Sequence, residues 1–480
     1  MASFSVYTFA MPLMKAARLM AVPILLVFCA ELGVRLGGAN ESGQEPTGQS
    51  DIFPFRIHER SLDNGLRVLA IPYDSPGIVS FYLVVRTGSR DEVEPGHSGF
   101  AHFFEHMMFR GTERFSQDAY NETLKRLGAD ANASTSDDWT MYYMTGPASG
   151  FETMVDLEAD RFKNLSYSED AFRTEALAVL GEYNKSASNP FLAIEERLRE
   201  LAFTTHTYRH TTLGFLDDIK AMPGYFEYSL GFFNRFYRPE NVLALVVGDI
   251  EPERAFTVLG THFADWKPGY QAPAISRESP QTERKAAHIE WPNPTRPYLV
   301  IGYHSPAFST DGTDFPALDV ISELLFSEAA PLYQDLVVKQ QWVDFLTGGA
   351  EDHRDPYLFT IAARLKSDDL LPRTKAAIDG AIEGLKREPV DAARLERIKS
   401  HLRYRFALSL DSPDAVARRV AHYLSLTGSA ESINDLFRRY AEVTPADVQR
   451  VARDTFEPSN ETVVTLSQQA KAPPASGAQR

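Results

Sequence analysis

The sequence predicts an α+β protein of two similar domains, each a mostly antiparallel sheet packed with helices, and three observations carry that expectation. Strand-like and helical patterns follow one another without a regular βαβ alternation. A segment rich in Pro, Ser and charge, Lys267 to Arg284, divides the chain beyond its middle and lacks periodicity. After it the opening theme returns. Tyr82-Leu-Val-Val is echoed by Tyr298-Leu-Val-Ile, and each is followed by a polar loop and an apolar helix ending in Phe, at Phe109 and Phe326.

Taken in order, Leu66 to Ile71 and Ser80 to Arg86 read as strands, the second partly alternating and rich in Val and aromatics. A loop with Pro95 and Gly96 opens a helix from about Ser98 to Phe109, and a second helix runs from Gln117 to Leu127. A strand follows at Thr140 to Thr145, then helices at Phe151 to Lys163 and Glu169 to Lys185. Val242 to Val247 reads as a buried strand before the Gly248-Asp249 turn, and Tyr357 to Leu365 is the counterpart of Thr140 to Thr145. These elements place one domain at 51–266 and its companion at 285–467, with a tail from Gln468 whose Pro473, Pro474 and Gly477 predict disorder.

With 480 residues, 44% of them hydrophobic, the chain can bury sizeable cores. Its formal net charge of -16 repels nucleic acid and anionic membranes and favours cationic partners such as basic peptide segments. At the start, Lys15 and Arg18 precede an apolar run, Leu19 to Ala30, uncharged until Glu31; residues 1–39 therefore read as a signal peptide. The run is short of the roughly 20 residues a membrane span needs. The expected location is thus the periplasm or the exterior, with membrane contact only through this segment if it stays attached. Cys29 is the single cysteine, so any metal must be held by His, Asp and Glu.

The chemistry concentrates in HFFEH. His102 and His106 are four residues apart on a predicted helix, so both imidazoles leave one face, and Glu105 reaches the same face. Zinc suits two neutral imidazoles, and a site with three protein ligands keeps one position for water, toward which Glu105 can act as general base. The order H-x-x-E-H inverts the commoner H-E-x-x-H. Phe103, Phe104, Met107, Met108 and Phe109 make this helix a buried one, where polar groups need partners; a purely structural cluster is the competing reading. The best third ligand is Glu182, on a helix that carries Glu175 two turns earlier, although either glutamate alone reads more simply as a solvated helix residue. Residues Asn132 to Thr135, NAST, read on their own as a turn.

Four segments, GHSGFAHFFEHMMFRGT (Gly96 to Thr112), GADANASTSDDWTMYYMT (Gly128 to Thr145), FRTEALAVLGEY (Phe172 to Tyr183) and FYRPENVLALVVGDI (Phe236 to Ile250), carry a resemblance. From Leu66 to Asp249 the chain resembles the pitrilysin, insulin-degrading enzyme and mitochondrial processing peptidase family of zinc inverzincins. The resemblance implies one Zn2+ held by His102, His106 and Glu182, with Glu105 as base and Glu175 as a second functional glutamate. It also gives Asn132, Ala133, Thr140 and Tyr142 to substrate binding, the strand Thr140 to Thr145 acting as an edge that pairs with an extended peptide.

The second domain looks like the family's metal-free companion, since Asp314 to Phe326 contains no His. Where many relatives carry an Arg and, seven residues on, a Tyr that steady the oxyanion, Val337 and Asp344 stand; Pro331 replaces an Arg just upstream. Losing an oxyanion donor costs about 100- to 1,000-fold in rate. The chain is therefore read as the zinc-bearing half of a peptidase acting on peptide substrates, needing a heterodimer with a zinc-less homologous subunit that supplies the Arg-Tyr pair. The alternative from another class is a non-catalytic scaffold subunit, against which the retention of His102, Glu105, His106 and Glu182 weighs.

Overall fold

The structure, a computed structural model, describes residues 51–469. The signal-peptide reading of 1–39, Cys29 and all but the first two residues of the predicted tail lie outside these. Among the described residues no helix is long and apolar enough to cross a membrane.

Among the described residues eleven strands form two sheets. Strands β1 (His58–Ser61), β2 (Arg67–Pro72), β3 (Ile78–Val85), β4 (Asp130–Thr135), β5 (Thr140–Pro147) and β6 (Val242–Gly248) build the first, in the order β1-β2-β6-β3-β5-β4. Strands β7 (Lys285–Trp291), β8 (Tyr298–Ser305), β9 (Val343–Ala350), β10 (Tyr357–Leu365) and β11 (Glu461–Gln468) build the second, in the order β7-β11-β8-β10-β9. Apart from the extra β1, the two orders superimpose strand for strand. Each sheet also has one parallel pair at the same place, β2 with β6 and β7 with β11, while the other pairs are antiparallel. The echo of Tyr82 in Tyr298 is therefore an echo of β3 in β8. Between the end of the helix Pro252–Phe263 and β7, the segment 267–284 contains no helix or strand.

Period-two alternation decides which residues face which core. In β3, Val79, Phe81, Leu83 and Val85 join one cluster with Phe103, Phe104 and Met107 of helix α1 (Phe100–Met107). Tyr82 and Val84 point the other way, into a cluster that also takes Leu243 and Leu245 of β6 and Ile301 and Phe359 of the second sheet. That opposite face is not covered by its own domain. The helix Pro413–Thr427, from the far end of the chain, packs on β3 and β6 with Val416, Val420 and Leu424, each fully buried. Such side chains contribute roughly 1.5–3 kcal/mol apiece.

The exchange is reciprocal. After helices α2 (Gln117–Leu127), α3 (Phe151–Asn164) and α4 (Glu169–Ser186), helix α5 (Pro190–Ala202) leaves the first sheet and packs on β7, β8 and β11. Its Ile194, Leu198 and Ala202 share a cluster with Val300, Leu358 and Val464.

Local signals set the ends of these helices. Ser116 caps α2 by accepting from the Ala119 N–H, and Gly128 closes it in the left-handed conformation. Ser168 caps α4 through the Ala171 N–H. Helix α1 begins two residues later than the sequence predicts because Gly99 takes φ 91°. A Cβ there would lie 2.4 Å from Ile219 and 2.7 Å from the Leu213 carbonyl oxygen, so only glycine fits.

Candidate metal centre

Helix α1 lies across β4 and β5 and packs against α4, which brings the H-x-x-E-H face up to Glu175 and Glu182 of α4. His102, Glu105 and His106 are only 6–7% exposed. One ligand atom from each of His102, His106 and Glu182 lies within 4.8 Å of the others. The two imidazole centroids are 4.8 Å apart with planes at 77°, so the rings converge without stacking. His106 Nε2 is 3.3 Å from Glu182 Oε2, and His102 Nε2 is 3.8 Å from the same oxygen, too long for a hydrogen bond.

Hydrogen bonds around the cluster assign roles. The Nδ1–H of His106 donates to Glu175 Oε1 at 2.9 Å, which turns Nε2 toward Glu182. Arg110, one turn beyond His106, binds the other oxygen of Glu175 through its guanidinium. The Thr135 hydroxyl, at the end of β4, donates to Glu105 Oε2 at 2.6 Å. Neither Arg110 nor Thr135 stands out in the sequence. Arg110 has a weak signal in its i,i+4 spacing from His106, whereas Thr135 sits in a segment that reads as a turn and gives none.

The charges follow from burial. His102 is pushed down to about 4 by burial and then by the neighbouring His106, which keeps its imidazole neutral and leaves one ring nitrogen's lone pair available. Burial opposes protonation of His106 too, but the hydrogen bonds to Glu175 and Glu182 outweigh it and lift its pKa to about 9. Burial alone would raise Glu175 and Glu182; the same hydrogen bonds hold both below the usual carboxylate range. Glu105 is pushed up to about 7 by burial, against the Thr135 hydrogen bond. His102 Nδ1 is buried with no hydrogen-bond partner. The two imidazoles turn Nε2 toward one Glu182 oxygen, a donor set that fits a His2Glu divalent-metal site in which the ion would replace the proton on His106 Nε2.

The structure relocates the predicted substrate strand. β5 is interior, paired with β3 on one side and β4 on the other, so Thr140 to Thr145 is not an edge. Thr140 donates to the Thr87 carbonyl and is 1% exposed, and the Tyr142 hydroxyl is spent on Tyr237 and the Phe104 carbonyl. Neither side chain can touch a peptide. Of the sheet's two edges, β1 and β4, the one beside α1 is β4, which carries Asn132 and Ala133 in the segment that reads as a turn. Ala133 turns its methyl into the core, and Asn132 Oδ1 accepts the Ala133 N–H.

In the second half, Val337 packs against the core, and Asp344 is held between Arg296 and Arg364. The helix Asp314–Phe326 buries Leu318, Ile321 and Leu325 and presents no metal ligand set.

An H-x-x-E-H helix laid over a mixed sheet, with a glutamate from a second helix closing the cluster, defines the inverzincin class of peptidase. The chain belongs to peptidase family M16: the family model described as "Insulinase (Peptidase family M16)" matches residues 68–214, and "Peptidase M16 inactive domain" matches 227–402. Zinc protease PqqE of Helicobacter pylori is 27% identical over 419 residues, covering 85% of this chain and 91% of that protein. A probable mitochondrial-processing peptidase subunit beta from Schizosaccharomyces pombe is 25% identical, covering 82% and 87%. The crystal structure of a protease from Helicobacter pylori aligns with a TM-score of 0.80 at 27% identity, over 86% of this chain and 99% of that one.

Proposed function

We propose that this chain is a zinc metalloendopeptidase that hydrolyses extended peptides laid along β4. The convergence of His102, His106 and Glu182 within 4.8 Å, with Glu105 on the same helix face and an open edge strand beside it, carries the reading. Zinc, when bound, supplies positive charge that acidifies a water and polarises a scissile carbonyl. Glu105 takes the proton from the attacking water and returns it to the leaving amine, and its burial, which raises the carboxyl, favours taking that proton up. Thr135 holds one Glu105 oxygen, so the other is left for the water. Glu175 fixes the tautomer of His106. The edge of β4 takes the peptide backbone by β-augmentation, with Asn132 and Ala133 at the contact.

The proposal includes a partner. Asp344 is committed to two arginines and Val337 to the core, so this chain brings no oxyanion donor from that stretch. A zinc-less homologous subunit bearing an Arg-Tyr pair supplies it in a heterodimer. Export through the N-terminal segment is the proposed setting, tested by fractionation.

The decisive experiment co-expresses the chain with a zinc-less homologue and compares wild type with Glu105→Gln for bound zinc and peptide cleavage. The variant should keep stoichiometric zinc and lose about 100- to 10,000-fold in turnover. Unchanged cleavage would refute the role of Glu105, and full activity of the chain by itself would refute the need for a partner.

A further inference from the structure

The tip of the β4–β5 hairpin, Ser136 to Trp139, carries two adjacent buried carboxylates, Asp137 and Asp138, that the proposed chemistry does not use. Asp137 accepts from the Ser89 hydroxyl at 2.7 Å, from Arg199 Nη1 at 2.9 Å and from His353 Nε2 at 3.0 Å. Asp138 accepts from the Tyr208 hydroxyl at 2.7 Å and from the Arg354 backbone N–H at 3.2 Å. His353 and Arg354 lie in the loop between β9 and β10, in the metal-free half. Arg199 is on α5, and Tyr208 belongs to the same cluster as α5 against the second sheet. Of the five donors, His353 and Arg354 come from the second domain, while Arg199 and Tyr208 come from the first domain's chain but pack on the second sheet. The tip also rests on Gly88, where a Cβ would lie 2.3–2.4 Å from the Ser136 and Asp137 carbonyl oxygens, so its backbone has no room to move inward. Two residues before Asp137, Thr135 makes its 2.6 Å hydrogen bond to Glu105.

We infer that the metal-free half sets the geometry of the general base: His353, acting on Asp137, is a positioning residue that fixes the hairpin tip and thereby Thr135 against Glu105. This rests on the role proposed for Glu105. The half that holds no metal thus does more than enclose substrate. It holds, through two carboxylates, the strand that both receives the peptide and orients the base.

The test uses the full-length chain with its zinc-less partner, in wild type, His353→Ala, Thr135→Val and the double variant. Each single change should lower kcat about tenfold with bound zinc unchanged, and the double should fall no further than about tenfold, because both act through one contact. A double variant about 100-fold down, the product of the singles, overturns the inference. A second measurement needs no turnover. Hydrogen exchange in His353→Ala should rise across residues 130–139 but not in β3 or α1, and His353→Gln, whose amide can still donate to Asp137, should restore most of the protection. Unchanged exchange at the hairpin, or an equal rise in β3 and α1, also overturns it. Absence of cleavage by the wild-type complex counts against the peptidase reading instead, and the exchange result still decides this one.

Discussion

Replacing Glu175 by Gln removes one charge from the cluster while keeping the side chain's shape. In the wild type one oxygen accepts the His106 Nδ1–H at 2.9 Å and the other is taken by Arg110. A hydrogen bond to a charged acceptor contributes about 1.5–3 kcal/mol. Loss of a carboxylate behind a metal-binding histidine typically weakens metal affinity 10- to 100-fold, or about 1.4–2.7 kcal/mol, so two independent scales agree. A Gln oxygen can serve His106 or Arg110 but not both. The effect should therefore sit near tenfold if it serves His106 and approach 100-fold if Arg110 captures it. Zinc affinity measured by competition with a chelator of known strength, near neutral pH, reads the change directly. Affinity within about twofold of wild type would refute the argument that Glu175 orients His106.

Two further changes probe the scaffold. His353 is raised to about 9: burial opposes protonation, but the Asp137 hydrogen bond and the surrounding carboxylates outweigh it. Because this lies above its ordinary 6.5, the stabilisation is fully present below 6.5 and fades as pH rises through about 9, a span equivalent to about 3 kcal/mol. Urea unfolding between these limits should show falling stability in wild type and a flatter profile in His353→Ala; equal slopes would remove His353 from the account. Gly348→Ala places a Cβ about 2.5 Å from the Phe326 ring and should cost about 1–3 kcal/mol, read as a lower unfolding midpoint at constant m-value; a neutral result would mean that the ring moves aside freely.

The sequence reveals the regular parts of this fold and conceals the irregular ones for physical reasons. Helix α2 runs from Gln117 to Leu127 as predicted because its serine cap and glycine stop are local chemistry. The two-domain α+β architecture is legible because repetition survives in β3 and β8. Strand β4 is not legible. Asn, Ser and Thr favour turns in isolation, and here pairing with β5 overrides that preference. The resemblance assigns the edge to the more strand-like run, yet that run is strand-like because it is interior. The exchange of α5 and the helix at 413–427 is hidden, because which sheet receives a helix is a long-range fact that no local pattern carries. In the centre itself, spacing identifies His102, Glu105 and His106, because two imidazoles one turn apart constrain geometry. Thr135 comes from a strand, 30 positions on from Glu105, and nothing local marks it.

The crossing of helices between the sheets bears on how the chain can come apart. A protease that nicked the segment 267–284 would cut the backbone between two parts that still hold each other's core helices. The fragments should remain together under native conditions and separate only on denaturation. Neither fragment made alone should be soluble, since each would leave one sheet face bare. The visible seam in the sequence is thus not a seam in cohesion, and a truncation drawn there would remove the cover from the sheet it was meant to isolate.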